Sequence, residues 1–210
     1  MAKQRYYVVW KGRKTGVFDS WGACSRQVLG FTGAVYKSFP TQELAEEAFR
    51  GDSQDYLGVD FDKSVPDPEQ LKAIGRPVRD SVAVDAACSG NPGVLEYRGV
   101  ITTTGRELFR EGPYEQGTVN IGEFLAIVHA LAMLKEQGQA LPVYSDSATA
   151  IKWVKTKEVR TKLPRTLQNE VLFLLVERAL KWLRGNSYPN TVLKWETMAW
   201  GENPADFGRK

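Results

Sequence analysis

The chain has 210 residues, 42% of them hydrophobic and 25% charged, and a formal net charge of +3. That is the make-up of a globular protein with room for one medium domain and one small one, and no internal repeat or low-complexity tract interrupts it. No apolar run is long enough to span a bilayer and no secretory leader precedes the first strand-like run, so Cys24 and Cys88 are expected to be reduced thiols of a cytoplasmic protein.

Residues 4–50 read as a small module. Tyr6 to Trp10 is a strand by its aromatic and β-branched content, Lys11 to Gly16 a turn, and Val17-Phe18 the start of a second strand. Ser20 to Val28 suits a short capped helix, Ala34 to Phe39 a third strand, and Thr41 the cap of a last helix. Residues 51–79 turn polar, acidic and proline-bearing and read as a linker, with a helical turn at Glu69 to Ile74. Residues 80–210 then form the second domain. It opens with the apolar run Val82 to Cys88, followed by strands at Tyr97–Thr103 and Glu107–Glu111. Next comes a helix from Gly122 to Gln137, with Phe124, Ile127, Val128, Leu131 and Leu134 as one buried stripe. A strand at Pro142–Ser145, a helix at Ser147–Lys155, a long helix at Pro164–Leu183 and a strand at Thr191–Trp195 complete it. Antiparallel strands followed by strands alternating with helices predict an α/β domain with a mixed five-stranded sheet, beside an α+β module with a three-stranded one.

The acids carry the chemistry. Asp85 sits inside an apolar strand, where a lone carboxylate is costly unless paired or metal-bound. Asp146 closes the next inner strand just before a helix, at the sheet edge where α/β proteins hold ligands; the structural alternative is that Asp146 or Ser147 only caps that helix. Glu123, by itself a first-turn acid complementing the helix dipole, lies at the margin of the buried face and can point towards Asp85. Asp206, in the segment Gly201-Glu202-Asn203-Pro204-Ala205-Asp206-Phe207, is on residue type alone a solvated acid. Together these carboxylates are what a pair of hard divalent cations requires.

In order and setting, Asp85, Glu123, Asp146 and Asp206, with the Ser89-Gly90-Asn91-Pro92-Gly93 turn after the first, resemble the type 1 ribonuclease H family over roughly residues 78–210. The resemblance implies a ribonuclease H-like fold and hydrolysis of the RNA strand of RNA/DNA hybrids with two Mg2+, or Mn2+ as a substitute, leaving 5′-phosphate and 3′-hydroxyl ends. It makes the four acids metal ligands, Asp85 bridging both ions, and Glu202 an accessory acid. Ser89, Gly90, Asn91 and Asn120 become candidates for reading 2′-hydroxyls, and Thr118 for gripping a phosphate. Two departures stand out. The loop before Asp206 lacks the histidine many members carry, and the sole histidine, His129, lies mid-helix and reads as structural. In place of a full basic handle helix there is only the stretch Lys152, Lys155, Lys157, Arg160, Lys162 and Arg165, with Trp153 among them to stack or to pack.

Residues 4–50 resemble the hybrid-binding, viroplasmin-like domain found ahead of some type 1 ribonucleases H. The match lies in Tyr6-Tyr7-Val8-Val9, Lys11 to Phe18, Ser20-Trp21 and Tyr36-Lys37-Ser38-Phe39. It implies that Tyr7, Trp21 and Tyr36 offer flat faces to sugars and Lys37 contacts a phosphate, with Ser38 where relatives carry a second lysine. Two other readings stay open: a non-catalytic hybrid-binding protein with a ribonuclease H-like fold, and a two-metal enzyme of the same fold acting on DNA.

Overall fold

Strand alternation organises both units of the computed structural model, which describes residues 4–57 and 73–208. The chain divides between Ala73 and Ile74. In the first unit β1 (Tyr6–Lys11) is central, flanked antiparallel by β2 (Gly16–Phe18) and β3 (Val35–Phe39). One face packs Val8 and Phe39 against α2 (Gln42–Arg50), and the other packs Val9 against Cys24 and Val28 of α1 (Trp21–Val28). Ser20 and Thr41 cap these helices, their hydroxyls accepting from the amides of Ala23 and Leu44. The short α3 (Ser53–Tyr56) closes the α2 side, stacking Tyr56 on Trp10 at 6.2 Å. Most of the helical turn expected at Glu69–Ile74 lies outside the described residues.

The second unit holds the mixed five-stranded sheet, in the order β6-β5-β4-β7-β8. β4 (Val82–Cys88), β5 (Gly93–Ile101) and β6 (Glu107–Gly117) form an antiparallel meander, and β7 (Val143–Ser145) and β8 (Val192–Lys194) add in parallel. Val82, Val84 and Ala86 face a core with α4 (Val119–Glu136), α5 (Ala148–Thr156) and α6 (Glu170–Gly185). Ala83 faces the other way, with Val100, Tyr144, Trp195 and Ala205. Asp85, two residues on from Ala83, shares that second face.

Several details differ from the expected elements. β5 begins at Gly93 and not Tyr97, β6 runs on to Gly117 and not only to Glu111, and α3 falls in the stretch read as linker. α4 starts at Val119 and is buried all round over its first ten residues, because the sheet lies beneath it and α5 and α6 beside it. α6 starts at Glu170, not at Pro164: the buried Asn169 amide donates to the carbonyls of Pro164 and Gln116 and its oxygen accepts from Thr166, holding residues 164–169 in a turn. A four-residue helix, α7 (Thr197–Trp200), was not anticipated. Among the described residues no helix is long and apolar enough to cross a membrane, and neither cysteine is in a disulfide.

His129 lies on α4 in a cavity of about 440 Å³ lined also by Tyr97, Glu136, Arg178 and Trp182. Its ring stacks on Phe109 at 4.0 Å. Burial lowers its pKa, and Arg178 of α6 adds to this against Glu111 of β6 and Glu136. The native state therefore holds the ring neutral at pH values where the unfolded chain, near pKa 6.5, already takes up a proton. Stability is complete above that value and is lost as pH falls through it towards the native pKa. His129→Phe is expected to flatten the decline of the urea midpoint between pH 7 and pH 5.

Candidate active site

The acids reach one place by three routes. Asp85 is delivered by β4 and is 4% exposed. Glu123 comes from the first turns of α4, which can approach β4 closely because Gly122 has no side chain. A Cβ there would sit 2.6 Å from Leu95 Cδ1 and 2.7 Å from Ala86 Cβ. Asp146 follows β7, the strand paired in parallel with β4. Its neighbour Ser147, not Asp146, caps α5, the hydroxyl accepting from Ala150 N at 3.1 Å. This leaves the Asp146 carboxylate for other work. One oxygen from each of Asp85, Glu123 and Asp146 lies within 4.8 Å of the others.

Only carboxylate oxygens make up that group, the donor chemistry hard cations take, with neither thiolate nor imidazole in it. Asp206 and Glu202 lie outside it. Asp206 is half-buried, its Oδ1 accepting from Gly208 N at 2.6 Å, and Glu202 is exposed.

Two polar residues that sequence reasoning missed hold the surroundings. Asn203, 4% exposed, donates from Nδ2 to the Val84 carbonyl at 3.0 Å and reaches the Asp146 carboxylate at 3.5 Å. Lys194, at the end of β8, donates to the Asp146 backbone carbonyl. Both contacts join segments far apart in sequence, so no local pattern announces them.

The expected substrate contacts are spread along the turn and the start of α4. Ser89 Oγ accepts from Val94 N at 2.8 Å and so works within the turn, while Gly90 and Asn91 are exposed. Thr118 precedes α4 but makes no side-chain cap, leaving its hydroxyl available, and Asn120 is buried. In the basic stretch Trp153 is buried and packs edge-on against Phe124, so it does not serve as a stacking platform. Arg160 pairs with Glu158, and Arg165 with Glu170 and Glu177, which leaves the exposed charge to the lysines.

In the first unit Trp21, 43% exposed, lies between Tyr7 at 5.6 Å and Tyr36 at 5.8 Å. Strand register puts Ser38 on this same side, where its hydroxyl accepts from Arg5 Nη2 at 2.9 Å, bringing a cation that sequence reasoning did not single out. Lys37 alternates to the opposite, α2 side of the edge strand β3.

Residues 5–49 match the family model described as Ribonuclease H1 N-terminal domain, and residues 79–187 the one described as RNase H. Ribonuclease H of Saccharomyces cerevisiae is 33% identical over 99 residues, 42% of this chain and 28% of that protein. Ribonuclease H of Nitratidesulfovibrio vulgaris is 31% identical over 118 residues, 49% of this chain and 75% of that protein. Among solved structures, ribonuclease H1 of Halobacterium salinarum aligns at 20% identity with a TM-score of 0.38, covering 56% of this chain and 86% of that one. The chain thus spans little more than a quarter of the yeast relative's length. With the RNase H match running over half of its residues, and with acids from β4, α4 and the end of β7 converging, the chain belongs to the ribonuclease H family.

Proposed function

We propose that this chain is an endoribonuclease that hydrolyses the RNA strand of RNA/DNA hybrids, leaving 5′-phosphate and 3′-hydroxyl ends. The observation that carries the reading is the convergence of Asp85, Glu123 and Asp146 within 4.8 Å in a chain of this family. Asp85, Glu123, Asp146 and Asp206 would hold two Mg2+, or Mn2+ in their place, Asp85 facing both and Glu202 assisting from the rim. When bound, the ions supply a reactive water at neutral pH and countercharge for the departing 3′-oxygen. The protein's own work is positional. Gly122 lets Glu123 approach, Ser147 relieves Asp146 of capping, and Asn203 and Lys194 fix the Asp146 peptide and carboxylate. The exposed backbone at Gly90 and Asn91 would read 2′-hydroxyls in the minor groove, with Ser89 holding the turn, Asn120 backing it and Thr118 gripping a phosphate.

The N-terminal unit would bind the same hybrid through Tyr7, Trp21 and Tyr36, with Arg5 on that side and Lys37 reaching a phosphate round the sheet edge. Tethering it to the nuclease raises the local concentration of hybrid at the second site and favours repeated cuts.

The test is cleavage of an end-labelled RNA/DNA hybrid in Mg2+, beside a DNA duplex of the same sequence. Internal cuts in the RNA strand, with the DNA duplex intact, are the expected result. Equal cutting of the DNA duplex would instead make this a ribose-blind nuclease. Tight binding to hybrid without cuts, in Mg2+ and in Mn2+, would make it a binding protein.

A further inference from the structure

Asp206 lies on an irregular segment, and what fixes that segment is a residue of the sheet. Arg98 stands directly opposite Asp85 in the β4–β5 register, so the two side chains share a face. Its guanidinium donates from Nε to the Ala205 carbonyl at 2.8 Å and from Nη2 to the Asp206 carbonyl at 2.6 Å. The remaining Nη1 pairs with Glu107 at 3.4 Å. The Phe207 ring lies under this fork, 4.8 Å from Arg98 Cζ and 5.3 Å from Arg110 Cζ. Within the segment, Asn203 Oδ1 accepts from Ala205 N, Asn203 O from Asp206 N and Asp206 Oδ1 from Gly208 N.

A planar fork gripping two successive carbonyls fixes both the position and the direction of the peptide that carries Asp206, which a single flexible ammonium cannot do. We infer that Arg98 is the positioning residue for Asp206: by clamping the Ala205 and Asp206 carbonyls beside Asp85 it sets where the fourth carboxylate meets the metal. The inference rests on the part of the proposed function that makes these four acids a cation site, and adds to it a residue with no metal-binding or proton-transfer chemistry of its own.

The experiment is a Mn2+ titration of the full chain, followed by the electron paramagnetic resonance of the unbound ion, for wild type, Arg98→Ala, Arg98→Lys, Asp206→Asn and the double variant Arg98→Ala/Asp206→Asn. Circular dichroism checks folding at each temperature used. Arg98→Ala is expected to weaken Mn2+ binding about 10–100-fold, the usual cost of removing a group that orients a ligand. Asp206→Asn should weaken it comparably, and the double variant no more than the worse single one. Arg98→Lys, able to reach one carbonyl, should recover part of the loss. Wild-type affinity in folded Arg98→Ala, additive losses in the double variant, or no effect of Asp206→Asn would each overturn the inference. Hybrid cleavage by the wild type is scored separately. Its absence, with the Mn2+ coupling intact, would remove the nuclease reading and leave the role of Arg98 standing.

Discussion

Asp146→Asn protein is expected to bind hybrid and leave it uncut, with the cleavage rate down by about a thousandfold or more, the scale on which pre-positioned charge acts in such sites. The same variant should be the more heat-stable protein when divalent cations are removed. Carboxylate oxygens of Asp85, Glu123 and Asp146 within 4.8 Å repel one another. At that separation and an effective dielectric near 20, each charged pair costs about 3 kcal/mol. Asp146 is half-buried, so solvent screens its share. A gain of about 1–2 kcal/mol is the realistic expectation, roughly 3–8 °C in melting temperature for a domain of this size. On the proposed metal reading, adding Mg2+ should reverse the order, because a cation held by Asp146 would stabilise the native wild type more than the variant. Melting curves in chelator and in Mg2+ check this directly. A variant that loses both activity and stability in chelator would mean that Asp146 holds the fold together.

The second large effect belongs to the N-terminal unit. Trp21→Ala in the full chain should weaken hybrid binding by about 5–150-fold, since stacking on an aromatic face is worth about 1–3 kcal/mol. Trp21 is 43% exposed and held between Tyr7 and Tyr36, so its removal takes away an outward-facing platform and little of the core. Fluorescence anisotropy in Ca2+, with a labelled hybrid, measures the affinity. The cleavage rate at saturating hybrid should stay near wild type while the half-saturating concentration rises, and Trp21→Phe should lie between. A fall in the saturated rate alone would place Trp21 in the service of catalysis.

How much of this was legible in the sequence depends on the range of the interaction. The apolar run around Asp85 and the strand before Asp146 announced themselves through local composition, and the structure brings both acids together with Glu123. Helix caps were legible for the same reason: Ser20 and Thr41 act within three residues of themselves. The single stripe read on α4 understated its burial, because periodicity shows which face is always apolar and not how many neighbours crowd the others. The start of α6 was misplaced because the buried Asn169 side chain ties up the Thr166 amide and the Pro164 and Gln116 carbonyls, a polar knot that leaves no mark in the apolar pattern. Arg98 and Asn203 were illegible because the partners that give them their roles lie 57 to 119 positions distant. The side of the sheet that Lys37 takes could have been read by counting alternation from Tyr36.

The long reach of Arg98 also bears on the order in which the molecule folds. The β4–β5–β6 meander joins neighbours in sequence and can close early, whereas gripping the Ala205 and Asp206 carbonyls requires β7 and β8 to have paired first and brought the chain back beside β4. The segment carrying Asp206 is thus among the last parts to dock in refolding and among the first to detach under denaturant. On the proposed metal reading, a chain that has its sheet but not this final attachment would have a core and lack its fourth carboxylate ligand. Divalent-ion affinity would then report the last step of assembly, one that far-ultraviolet circular dichroism registers only weakly.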